Sequence, residues 1–316
     1  MRGLRTLLLV GLVGAFGVQS AAAQTEVRIG YQRGNIFGVL KEQGFIEEAL
    51  GDDVRVTWTL FTSGPPLLEA MNAGAIDFGL TGDTPPVFAQ AAGTPFVYTG
   101  SQITPLTEAV IVPEGSDVES IADLAGKQVG YTVGSSANYL FVRALESAGL
   151  TPDDVESVPL QPADARAAFQ GGNLDAWVIW DPFLTAAVQE LGARPVLSRG
   201  DLETDYRWFY LASSAFADAH PDLLSTMLAQ VQTATDWVRE NPDGFAALLE
   251  TETGIGAEVW TEILASRTFQ DPEPMTPELV ESQQTVADTF LELGTLPAAV
   301  TVEDIIWTWQ PERAAR

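Results

Sequence analysis

Cysteine is absent from this chain of 316 residues, and histidine occurs once. Without thiols there is no disulfide framework, no thiolate metal site, no nucleophilic cysteine and no residue to carry a lipid behind a leader. The lone His220 precedes Pro221 and starts a helical stretch, so it reads as a solvated turn. It has no second histidine at ligand spacing for zinc, and a Ser-His-Asp triad would need it in a cleft far from where the sequence puts it. Cations are scarce as well: 16 Lys and Arg stand against 43 Asp and Glu, a formal net charge of -27. Such a field repels nucleic acid and anionic lipid heads, which sets basic-patch functions aside. No phosphate loop of the nucleotide-hydrolysing type appears. Long apolar runs are missing except at residues 7–18, behind Arg2 and Arg5 and ahead of Ala21-Ala22-Ala23.

That run is too short and too glycine-rich for a comfortable membrane span, and the small residues after it suit a signal peptidase. Residues 1–23 are therefore expected to be a secretory leader cleaved near Ala23, leaving a soluble periplasmic chain that is not a lipoprotein. Its removal takes two arginines and no acid, shifting the charge from -27 to -29. At 46% hydrophobic residues the remainder can bury a sizeable core, with about two compact units as the prior.

What the chain does have is a recurring turn. Thr81-Gly82-Asp83-Thr84-Pro85-Pro86 follows an apolar strand-like run and opens a helix-like one. The same punctuation returns at Thr62-Ser63-Gly64-Pro65-Pro66, at Gly134-Ser135-Ser136-Ala137-Asn138 and at Trp180-Asp181-Pro182. A turn of this kind aims free backbone N–H groups forward, and repeated strand-to-helix turns are where open α/β sheets bind ligands. A binder of small molecules, anionic ones, is expected rather than a catalyst.

Short runs rich in β-branched and aromatic residues at 27–32, 54–61, 76–80 and 96–99 alternate with helical patterns. A second series follows at 109–112, 128–132, 154–160 and 176–180, with helices near 121–125, 138–148, 163–170 and 182–191. From about Phe216 the signals are mostly helical, at 222–241, 242–250, 256–266, 277–293 and 302–307. The spacing predicts two α/β lobes with largely parallel sheets: 24–106, 107–206, and a return over 207–316 that adds C-terminal helices. Paired crossing segments are expected near 103–108 and 203–209.

Five fragments carry a resemblance. They are Gly30-Tyr31-Gln32, the stretch from Leu67-Leu68-Glu69 to Ile76-Asp77-Phe78-Gly79, Thr81 to Pro86 with Phe88 to Gly93, Pro162 to Phe169, and Asp175 to Pro182. In order and spacing they resemble the aliphatic-sulfonate-binding proteins of ABC importers, from about residue 27 to Phe209-Tyr210-Leu211-Ala212 and beyond. The resemblance implies a type II periplasmic binding fold, two α/β lobes with a ligand cleft and two crossing segments. It also implies closure around a sulfonate, and delivery to an inner-membrane permease with its ATPase. A monomer without cofactor or metal is expected. Nitrate, taurine and thiamine-precursor receptors of the same superfamily look similar and stay open as alternatives. A carbon-sulfur-cleaving enzyme on this fold is disfavoured, since a related desulfinase depends on a cysteine this chain lacks.

A sulfonate is ionised at any physiological pH and offers acceptors only, so its site needs convergent donors and no unpaired carboxylate. Thr84 in one lobe and Ser135, Ser136 and Asn138 in the other are the expected neutral donors, with Ser63 in a matching turn. Gly64, Gly82 and Gly134 would admit the main chain, and Gln32 and Asn35 could donate side-chain amides. Each also has a plain reading as a cap or tight turn. Among cations, Arg166 and Arg207 are better placed than Arg33, although structural ion pairs are their default. The carboxylates Asp83, Glu108 and Asp181 should cap backbone N–H groups, neutralise arginines, or meet the cationic end of an aminosulfonate; capping is favoured for Asp83 and Asp181. Trp180 and Tyr139 could pack on an aliphatic tail, while Trp177 reads as core.

Overall fold

The computed structural model describes residues 24–202, 206–266 and 269–308, so the expected leader at 1–23 lies outside the described residues. The strands are β1 (Thr25–Tyr31), β2 (Val54–Leu60), β3 (Phe78–Thr81), β4 (Phe96–Ile103), β5 (Glu108–Val112), β6 (Gln128–Tyr131), β7 (Glu156–Pro159), β8 (Ala176–Trp180), β9 (Arg194–Ser198) and β10 (Arg207–Ser213). The helices are α1 (Ile36–Gln43), α2 (Phe45–Leu50), α3 (Gly64–Asn72), α4 (Thr84–Ala91), α5 (Ser136–Ser147), α6 (Pro162–Gln170), α7 (Phe183–Leu191), α8 (Ser214–Ala219), α9 (Pro221–Glu240), α10 (Pro242–Thr253), α11 (Ala257–Ser266) and α12 (Pro277–Glu292).

Two sheets result, ordered β2-β1-β3-β10-β4 and β7-β6-β8-β5-β9. They share one plan. In each, three parallel strands are followed by one antiparallel strand that arrives from the other lobe, β10 in the first and β5 in the second. The central strands β3, β5 and β8 are buried throughout, as expected where helices cover both faces of a sheet. Edge strands β2 and β7 keep exposed positions. The lobes are joined by residues 104–107 between β4 and β5 and by a second link that leaves β9 at Arg199 and enters β10 at Arg207.

The strands expected at 54–61, 128–132 and 176–180 match β2, β6 and β8 within a residue. Two strands were not expected. β9 contains Pro195, which argues against an inner strand but is tolerated at the sheet edge where β9 lies. The expected return crossing at 203–209 overlaps the first residues of β10, which inserts between β3 and β4.

Each lobe has its own apolar core. Trp177, Phe141 and Phe169 belong to the second lobe, while Phe37, Phe78 and Tyr210 sit under α9 and α10 in the first. A smaller cluster crosses between the lobes. Tyr139 and Val142 of α5 pack against Val87 of α4 and Phe290 of α12. The C-terminal segment is tied to the first lobe by the Trp307 N–H, which donates to the Tyr98 carbonyl. Among the described residues no helix is long and apolar enough to cross a membrane.

Candidate functional site

The carboxyl ends of the parallel strands of both sheets face one another, which is where open α/β sheets hold ligands. A cavity of about 30 Å³ lies between them. One water needs about 10 to 15 Å³ by this measure, so there is room for about two.

Helix starts surround it. From the first lobe come Asn35 at the N-cap of α1, Gly64 at the first position of α3 and Pro85 in the first turn of α4. From the second come Ser135 and Ser136 at the start of α5 and Asp181 just before α7. Asn35 caps its own helix, accepting from the Phe37 N–H at 2.9 Å. Ser135 does not cap: its hydroxyl donates instead to the Thr132 carbonyl at 2.7 Å, leaving the first turn of α5 uncapped by that side chain. Pro65, Pro66, Pro85 and Pro86 remove donors from α3 and α4, so those helices contribute their dipoles more than their N–H groups.

The lobes meet closely here. A Cβ on Gly82 would stand 2.8 Å from Cβ of Ser136, and one on Gly34 would stand 3.0 Å from Cδ of Pro182. Gly34 also has φ of +78°, a left-handed backbone suited to glycine. The Ser63 hydroxyl donates to Oε1 of Gln161 in the opposite lobe at 3.1 Å. This is a closed arrangement.

Beneath the cavity, Arg199 donates to Asp83 of the first lobe and to Glu108 of the second. It is 5% exposed and Glu108 is 0% exposed, so the cluster pins both lobes at their junction. Burial opposes the charge on Arg199, but Asp83 and Glu108 outweigh it and hold the guanidinium well above its ordinary value. Burial pushes the Glu108 carboxyl up, against the pull of Arg199. Asp83 therefore does not cap α4 as expected; besides Arg199 its carboxylate accepts from the Thr84 hydroxyl at 2.8 Å, and its carbonyl accepts from the Gln283 amide at 2.8 Å. Asp181 accepts at the start of α7 from the Thr185 N–H and hydroxyl at 3.2 and 2.7 Å, and across the lobe from the Thr107 N–H at 3.0 Å. Of the three roles expected for the carboxylates, Asp83 and Glu108 neutralise an arginine, and Asp181 accepts from backbone N–H groups.

Of the expected residues, Gln32, Asn35, Gly64, Gly82, Ser135, Ser136, Trp180 and Asp181 line the cavity. Ser63, Asp83, Thr84, Glu108 and Asn138 are buried around it, and Asn138 accepts from the Gly134 N–H at 3.0 Å. Gly134 and Tyr139 sit farther back, the second in the interlobe apolar cluster. Arg166 pairs with Glu190 at the surface, and Arg207 pairs with Glu273 at 2.6 Å; neither lines the cavity.

The structure adds Arg33, Gly34, Leu80, Leu106, Tyr206 and Trp208 to the lining and Arg199 below it. Arg33 is exposed and makes no ion pair or hydrogen bond among the described residues, unlike Arg166 and Arg207. The Tyr206 hydroxyl lies 3.5 Å from Oγ of Ser136, and burial pushes its acidity far beyond the physiological range, so it stays a donor. Arg199 follows β9 at a Ser-Arg-Gly-Asp turn in which Asp201 accepts from the Ser198 N–H at 2.7 Å, but that signal marks a turn and does not single out Arg199 or Tyr206 as site residues. Among the described residues no cluster of His, Cys, Asp and Glu could hold a metal ion.

The NMT1/THI5-like family model matches residues 60–245. A protein of Escherichia coli (strain K12) named as binding aliphatic sulfonates is 39% identical over 97% of each chain. The crystal structure of the periplasmic aliphatic sulphonate binding protein SsuA from Escherichia coli superposes with a TM-score of 0.80 at 38% identity, covering 90% of this chain and 92% of that one. The alkanesulfonate-binding protein SsuA from Xanthomonas axonopodis pv. citri, bound to MOPS, superposes with a TM-score of 0.84 at 33% identity, covering 91% and 99%. The fold, the paired strand-to-helix turns and these relatives agree: the chain belongs to the NMT1/THI5-like family and, within it, to the aliphatic-sulfonate-binding proteins.

Proposed function

We propose that this chain is the periplasmic substrate-binding component of an ABC importer, closing on an aliphatic sulfonate and presenting it to an inner-membrane permease with its ATPase. The lobes divide at 24–106, 107–206 and 207–316, and the protein works as a monomer after loss of the leader at 1–23. The observation that carries this reading is the cavity itself. It is lined from both lobes by helix starts, hydroxyls and an exposed arginine, while every carboxylate around it already has partners. A permanently charged acceptor gains from such a lining, and nothing in it presents a bare anion to repel.

Ser136 and Tyr206 hydroxyls, the first-turn N–H groups of α5 and Arg33 are the donors assigned to the sulfonate oxygens. With lobe contacts this close at Gly34 and Gly82, the anion bridges the two halves and is counted as closure energy. No thiol or placed histidine is present to attack or protonate a carbon-sulfur bond, so the role is receptor and not enzyme.

Calorimetry with the purified mature chain tests this. Hexane-1-sulfonate is expected to bind and to be recovered unchanged. Binding of nitrate or a thiamine-precursor pyrimidine with silence toward all sulfonates would overturn the ligand class, and release of sulfite would overturn the receptor role.

A further inference from the structure

Four consecutive residues of the first lobe, Gln32, Arg33, Gly34 and Asn35, form one wall of the cavity between the lobes. The end of this wall is fixed by Asn35, the N-cap of α1. Its middle is fixed from outside the cleft. The Gly34 N–H donates at 2.9 Å to Oε2 of Glu252, which lies 218 positions away in the last turn of α10. Glu252 does not line the cavity, so a carboxylate behind the wall holds this N–H. The other carboxylate oxygen faces α1: a Cβ on Gly38 would stand 2.8 Å from Oε1, so that helix runs directly against it. The turn that Glu252 holds is also the one whose Gly34 meets Pro182 of the second lobe. Burial pushes the Glu252 carboxyl up, against the pull of the Gly34 N–H, Arg33 and Lys41, and Glu42 adds to the rise. The carboxylate thus lies within the field of Arg33, the exposed cation of the cavity lining.

Taking the cavity as the sulfonate head-group site, we infer that Glu252 is a positioning residue for anion binding: from α10 it holds the Arg33-Gly34 turn in the shape that meets Pro182, and its charge offsets part of the attraction of Arg33 for the anion. The two effects oppose each other. A turn held in place fixes where Arg33 and the start of α1 stand before the ligand arrives, which favours binding. A like charge behind Arg33 disfavours an anion in front of it. Neither effect needs contact between Glu252 and the ligand, because the hydrogen bond acts on the backbone and the charge acts through space. Substitution separates them. Glutamine keeps an oxygen that accepts from the Gly34 N–H and removes the charge, whereas leucine removes both and leaves that N–H without its acceptor.

The test measures dissociation constants for hexane-1-sulfonate by calorimetry on the unsubstituted chain, Glu252→Gln and Glu252→Leu, with thermal unfolding to check that each variant folds. At neutral pH and low salt, Glu252→Gln is expected to bind about two- to fivefold tighter than the unsubstituted chain, and Glu252→Leu about tenfold weaker. A residue that merely stabilised α10 would not move the two in opposite directions. The gain in Glu252→Gln is expected to shrink at about 1 M salt, where the screening length is about 3 Å. It is also expected to close as pH falls to 4.5, because burial raises the carboxyl above that value and the unsubstituted side chain is then more than half neutral. Every other carboxylate titrates in both proteins, so the difference between the two pH profiles isolates Glu252. If the variants bind like the unsubstituted chain, or shift in the same direction, the assignment falls while the head-group site stands. A gain that persists undiminished at pH 4.5 overturns it as well. If Glu252→Leu does not fold, Glu252→Gln binding no tighter than the unsubstituted chain overturns the assignment by itself. If the unsubstituted chain binds no sulfonate, the head-group reading fails and takes Glu252 with it.

Discussion

Arg199 is the residue whose role depends most on its surroundings. It joins Asp83 and Glu108, 116 and 91 positions away, in a site sealed from water. Arg199→Leu would leave two carboxylates buried without their cation, a loss of about 3 to 5 kcal/mol. Urea denaturation is expected to show it as a lower midpoint. Because burial raises the Glu108 carboxyl, the proton it keeps in the fold contributes stability that is fully present below its unfolded value of 4.5 and lost as pH rises through the folded one. Arg199 is the cation that holds that value down, so removing it moves the loss to higher pH, and the deficit of the variant is expected to grow as pH rises above 4.5. Ligand affinity should behave differently. A sulfonate does not titrate, and the Tyr206 hydroxyl is held protonated by burial, so binding is expected to stay flat from about pH 6 to pH 9. A decline in calorimetric affinity across that range would show that a donor at the site loses its proton there, against the burial that holds Tyr206 protonated. Gly82 has an ordinary backbone, so alanine is conformationally allowed there, yet its Cβ would press on Ser136 across the cleft. Gly82→Ala is expected to weaken sulfonate binding by about tenfold to a hundredfold while leaving thermal stability of the ligand-free protein nearly unchanged, since opening the lobes relieves the clash.

Helix starts do the work of the site, and they do it unequally. In α3 and α4 paired prolines occupy the second and third positions, pre-setting the backbone while removing two N–H donors from each. In α5 no proline removes a first-turn N–H; that of Asn138 goes to the Ser135 carbonyl at 2.9 Å, and the Ser135 side chain turns away to Thr132. That helix is thus the stronger anion end. Ser136→Asp would put a carboxylate beside the head group, and at an effective dielectric of about 20 two like charges 4 Å apart repel by about 4 kcal/mol. Loss of roughly two orders of magnitude or more in sulfonate affinity is the expected outcome. Affinity unchanged in isothermal titration would show that α5 does not face the ligand.

For the molecule as a whole, charge and function pull in opposite directions. A chain with a formal charge of -27 repels the anion it is proposed to collect, while the attractive groups act only inside the cleft. Salt should therefore help the encounter. Raising ionic strength from about 0.01 to 0.15 M shortens the screening length from about 30 to 8 Å, and the association rate measured by stopped flow is expected to rise about threefold. A rate that falls with salt would mean that an unrecognised local positive field guides the ligand.

Local pattern made much of this legible. Alternating strands and helices, the Thr-Gly-Asp-Thr-Pro-Pro turn and its counterparts announced two α/β lobes, and eight of the expected site residues line one cavity. Capping chemistry and hydrophobic period are set within about four residues of chain, so they are readable in order. Which carboxylate Arg199 neutralises, where Tyr206 points, and that β10 enters the first sheet instead of merely crossing are fixed by packing between segments far apart in sequence. Arg33, Arg166 and Arg207 show the difference most plainly. Nothing in their neighbourhoods ranks the exposed cation at the cleft above the two in ion pairs; only the closed approach of one lobe to the other decides it.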